Sequence, residues 1–78
     1  MTVLEALRHT QAARDEVVKA EHSLAMAAEF ARYALEDYAH RHDIAALLDA
    51  LAVYQAAQTA REAANTALTA ALEKALDR

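Results

Sequence analysis

The chain has 78 residues, a formal net charge of −4, and no cysteine, glycine or proline. That length makes one domain at most, over residues 1–78, and leaves a marginal core unless a disulfide, a metal or a second subunit staples it. The missing cysteines exclude disulfides and thiolate metal sites, and the acidic balance argues against nucleic acid or an anionic membrane as partner, since both need a basic face.

Without Gly or Pro, a strand-rich or loop-rich fold of this length has no residues for its turns, whereas helices need neither. Alanine, the best helix former, occurs 23 times and leucine ten times. The expected class is all-α. Thr2 and Glu5 have the spacing of a capping box, so a first helix is predicted from residue 3. A 3.6-residue stripe of small and apolar positions then runs through Val3, Ala6, Thr10, Ala13, Val17, Ala20, Leu24, Ala27, Ala31, Ala34 and Tyr38. This helix is predicted over 3–41. A rival reading breaks it near residue 22, where Ser23 offers a cap, and gives a three-helix bundle.

The polar run His40-Arg41-His42-Asp43 is the predicted turn. Asp43 caps a second helix, and His40 and Arg41 place positive charge at the carboxyl end of the first. The second helix is predicted over 44–76, with a stripe of Leu47, Ala50, Leu51, Tyr54, Ala57, Ala64, Leu68, Ala71 and Ala75. Alanines recur at heptad spacing at positions 6, 13, 20, 27 and 34, and again at 50, 57, 64 and 71. Side chains this small let two helices approach closely, as in an alanine-rich coiled coil. The predicted architecture is a long antiparallel helical hairpin.

Bulk gathers near the turn, where Phe30, Tyr33, Leu35, Tyr38, Ile44, Leu47, Leu48, Leu51, Val53 and Tyr54 span too wide an arc for one seam. Phe30, Tyr33, Tyr38, Leu47, Leu48, Leu51 and Tyr54 are the candidate interface, because uncovered apolar and aromatic patches mark docking surfaces. A homodimeric four-helix bundle is the simplest closed solution. Glu21 and Arg61 fall close enough in the hairpin register to pair across it, although both are as readily solvated.

Candidate chemistry is sparse. Glu36 and His40 share a helix face, and Asp49 is expected across the hairpin, so the three are a candidate carboxylate–histidine metal site. The competing reading is a set of exposed ion pairs: Asp37 with Arg41, Glu36 with His40, Glu29 with Arg32, Asp15 with Lys19, and Glu5 with His9. Ser23 has no glycine elbow and no evident base, so no catalytic residue is assigned and no cofactor is expected. No apolar run approaches the ~20 residues of a membrane span. Met1-Thr2-Val3-Leu4-Glu5 lacks the basic-then-apolar order of a secretory signal. The expectation is a cytoplasmic, non-enzymatic interaction module, of the adaptor, inhibitor or co-chaperone type, whose partner is a second copy of itself or another protein.

Overall fold

The computed structural model describes residues 2–77. Those residues form three helices and no strand: α1 at Val3–His9, α2 at Gln11–Arg41 and α3 at Ile44–Leu76. The Cα envelope is a rod of 58 × 15 × 11 Å. α2 packs along α3, and the short α1 rests against both.

α1 opens as the sequence predicts. The Thr2 hydroxyl accepts a hydrogen bond from the Glu5 N–H at 3.2 Å, satisfying one of the first-turn donors that have no partner within the helix. The expected continuous helix over 3–41 is corrected at Thr10. There the backbone leaves helical geometry (φ −100°, ψ 1°) and α1 gives way to α2. The cause is side-chain competition for carbonyls. The Thr10 hydroxyl donates to Ala6 O at 3.0 Å and to Leu7 O at 3.3 Å. The Arg14 guanidinium reaches back seven residues and donates to Leu7 O at 2.6 Å, while its other contact is Gln11 Oε1 at 2.8 Å. Threonine bonded to preceding carbonyls bends helices, and a side chain inserted into the ladder marks the kink. Thr10 is fully buried, so its hydroxyl has no water to turn to and takes these carbonyls instead.

The rival break near residue 22 does not occur. α2 runs unbroken through Glu21, His22 and Ser23. At its far end α2 continues through His40 and Arg41, so the four-residue turn expected there contracts to His42 and Asp43. His42 takes the left-handed conformation (φ 56°, ψ 31°) and its N–H donates to Tyr38 O at 2.9 Å. Glycine is the usual residue for that position. Here the histidine gains an edge-on contact with the Tyr38 ring, centroids 5.5 Å apart. Left-handed geometry costs a non-glycine residue about 1–2 kcal/mol, and the ring contact offsets part of that cost.

Asp43 then starts α3. Its carboxylate accepts from the Ala46 N–H at 3.2 Å, and the bond lies where the positive end of the helix dipole favours an anion. Removing it in Asp43→Ala is expected to cost about 1 kcal/mol, read as a fall in melting temperature of about 4–8 °C for a domain of this size. An unchanged melting curve would show that this cap contributes nothing.

What α2 and α3 bury between them is almost entirely alanine. Among the described residues, Thr10, Ala27, Ala50 and Ala75 are buried. All nine heptad alanines are buried or half-buried, while Ala12, Ala25, Ala39, Ala45, Ala52 and Ala56, which lie off that repeat, are exposed. The large side chains are left outside: Phe30, Tyr33, Leu35, Ile44, Leu48, Leu51 and Val53 are all exposed.

Candidate functional site

An apolar groove of about 370 Å³ runs between α2 and α3 near the His42–Asp43 connection. α2 contributes Ala28, Ala31, Arg32 and Leu35, and α3 contributes Leu47, Leu51 and Tyr54. Each set follows from helix geometry. Positions i, i+3, i+4 and i+7 of α2, and i, i+4 and i+7 of α3, stand one above another on a single face. Alanine at 28 and 31 leaves the floor deep, and the leucines and Tyr54 raise the walls.

Arg32 is the one charged lining residue, and its own helix already holds it. Its guanidinium grips Glu29 through two bonds, Nη2 to Oε1 at 2.7 Å and Nε to Oε2 at 3.1 Å. Glu36 approaches it from the next turn at 3.7 Å. The hydrogen bonds to Glu29, then the charges of Glu29 and Glu36, hold the guanidinium above its ordinary range. It remains cationic at any working pH, and these exposed pairs add little to stability. The same guanidinium lies 5.2 Å over the Tyr33 ring, within cation–π range. The rest of the lining is hydrocarbon apart from the Tyr54 hydroxyl, so the groove is suited to covering another apolar surface.

Protein-family models, curated proteins and solved structures were all searched, and none matches this chain. The functional reading therefore rests on the chemistry of the groove and the packing around it.

The seven candidate interface residues divide among four places. Leu47, Leu51 and Tyr54 line the groove. Phe30 and Tyr33 are exposed, but each is two residues from a groove position, Ala28 or Leu35. Two residues turn a helix by about 200°, which puts these rings on the far side of α2. Tyr38 is half-buried against the His42 ring. Leu48 is exposed on α3 and outside the lining. The helix positions thus set Phe30 and Tyr33 apart from Leu47, Leu51 and Tyr54.

The candidate metal set Glu36, His40 and Asp49 is not brought together. Among the described residues no group of three or more histidines and carboxylates is placed to hold an ion. Glu36 turns towards Arg32, and His40 and Asp49 are both exposed. Of the expected ion pairs, Asp37–Arg41 forms at 3.3 Å and Glu29–Arg32 at 2.7 Å. Lys19 pairs with Glu16 at 3.4 Å, and Asp15 accepts instead from the Gln11 amide at 2.8 Å.

Leu35 belongs to the bulk that the sequence gathers near the turn, but Ala28, Ala31 and Arg32 carry no such sign, because a groove needs small residues for its floor as much as large ones for its walls.

Proposed function

We propose that this chain is a non-enzymatic protein–protein interaction module, in which α2 and α3 form an antiparallel hairpin that completes its core by associating into a four-helix bundle. The observation that carries the reading is the poverty of the interior. Among the described residues three alanines and one threonine are buried, while the leucine- and tyrosine-walled groove stays open. Alanine brings little transfer free energy, and each full burial of a leucine or phenylalanine is worth about 1.5–3 kcal/mol. Most of the hydrophobic stabilisation this sequence can offer is thus unclaimed within one chain.

The surface area points the same way. The chain exposes 5862 Å², whereas a compact monomer of its mass exposes about 4,700 Å². Support for the hairpin comes from the packing of α2 along α3, the two-residue connection and the 58 Å length. That length is close to the span of a single helix of about 33 residues rather than two end to end.

Sedimentation equilibrium on the full chain tests the reading. At micromolar concentration an associated species is expected. Tyr54→Asp, in the groove, should shift it towards monomer, whereas Ala67→Asp, exposed on α3 outside the groove, should not. A folded species that stays monomeric on concentration, alone and with candidate partners, would sink the proposal.

A further inference from the structure

We propose that the break at Thr10 is a two-state joint, in which the Arg14 guanidinium and the Gln11 N–H compete for one carbonyl, Leu7 O. In the state seen in the structure the guanidinium holds that carbonyl, and α1 is separate and rests against α3. In the other state the Gln11 N–H takes it, and α1 and α2 fuse into one helix. This joint does not depend on what the groove binds.

The contest is over a single acceptor. In an unbroken helix Leu7 O would accept from the N–H four residues on, that of Gln11. It accepts instead from Arg14 Nη2 at 2.6 Å and from the Thr10 hydroxyl at 3.3 Å. The hydroxyl alone does not break a helix in this chain. Thr59 donates to Gln55 O at 3.1 Å and Thr69 to Asn65 O at 2.9 Å, and α3 runs through both without interruption. What sets Thr10 apart is the guanidinium that reaches back from Arg14, so Arg14 is the latch.

The broken state is opposed by three features. Arg14 Nε is buried and, among the described residues, has no hydrogen-bond partner, which is costly for a donor. The Thr10 side chain makes no capping bond to the start of α2, so the first N–H groups of that helix go without the partners a continuous ladder would give them. The first turn of α2 has no acidic residue, and it contains the Arg14 cation where the helix dipole disfavours positive charge. In favour of the break stand three side-chain bonds, the burial of Thr10 and the contact of α1 with α3. The sequence also permits the continuous form. Neither glycine nor proline occurs, and Ala6, Thr10, Ala13 and Val17 keep their helical spacing through the break, so closing the ladder leaves the stripe in register. Opposed terms of this kind leave a small gap between two discrete arrangements, with the second present as a minor population.

NMR on the full chain tests the joint. In the wild type, helical Cα shifts should be interrupted at Thr10 and the Gln11 amide should exchange quickly with solvent. Relaxation dispersion over residues 8–12 should report exchange with a minor form on the μs–ms scale. Arg14→Met keeps the aliphatic stem and removes the donors. In that variant the helical shifts should run through Thr10, and Gln11 exchange should slow by about tenfold or more. Its shifts should match those of the wild-type minor form. Arg61→Met, at a half-buried arginine of α3, should leave the break unchanged. Flat dispersion in the wild type overturns the two-state joint, and that measurement needs no variant to fold. Interrupted shifts and fast Gln11 exchange that persist in Arg14→Met overturn Arg14 as the latch. Loss of helical shifts over Val3–His9 in Arg14→Met, with α3 amides still protected, overturns the continuous helix as the second state.

Discussion

Ala50→Leu is expected to destabilise the chain by about 1–3 kcal/mol, while Ala52→Leu changes stability by less than about 0.5 kcal/mol. The two substitutions add the same three carbons to the same helix, and alanine and leucine differ little in helix preference. What differs is place. Ala50 has no exposed surface and Ala52 is exposed. α2 packs against α3 and Ala50 has no exposed surface, so an added isobutyl group must push the helices apart or leave its rotamer well. Separation at one heptad position also loosens its neighbours, since Ala27, Ala34, Ala57 and Ala64 depend on the same close approach. Urea unfolding followed by circular dichroism at fixed protein concentration measures both variants. Equal effects would show that closeness at Ala50 is not what holds α2 to α3. Ala27→Leu, at the other buried heptad position, should behave like Ala50→Leu.

The same alanines explain how much of the fold could be read in advance. Of the eleven stripe positions proposed between Val3 and Tyr38, all but Val3 are buried or half-buried, and of the nine between Leu47 and Ala75 all but Leu51 are. Periodicity succeeds because burying one face of a helix requires residues every 3.6 positions, and the sequence must carry that repeat. The Asp43 cap was legible for a similar reason, since a carboxylate before an apolar run has an evident local partner in the first-turn N–H groups.

The break at Thr10 was not legible. Thr10 sits in register within the stripe, and what ends α1 is a contest for the Leu7 carbonyl among a backbone N–H, a hydroxyl and the Arg14 guanidinium. Neither glycine nor proline announces such a contest. The groove was half legible. Leu47, Leu51 and Tyr54 were found by their size. Phe30 and Tyr33 fall at the same end of the hairpin as these residues, whereas the 100° step per residue sends them to the opposite side of α2.

Dilution is expected to lower the melting temperature by about 3–6 °C for each tenfold drop in concentration. If folding and association are one process, the unfolded state is two separate chains. Each tenfold dilution then favours it by about 1.4 kcal/mol. For a body of about 150 residues, the size of two chains together, each kilocalorie moves the midpoint by about 2–4 °C. Thousandfold dilution removes about 4 kcal/mol, most of the stability of a domain at the low end of the usual 5–15 kcal/mol, so helical signal should be largely lost at the lowest concentrations. A chain whose own core suffices would melt at one temperature throughout, because monomolecular unfolding contains no concentration term. Leu35→Glu separates cause from coincidence. It alters a side chain that is 59% exposed in a single chain, and it should bring the concentrated protein down to the melting behaviour of the dilute one. A concentration-independent midpoint in the wild type would place the missing stability inside the single chain, in the alanine seam itself, and would leave the open groove without a part in folding.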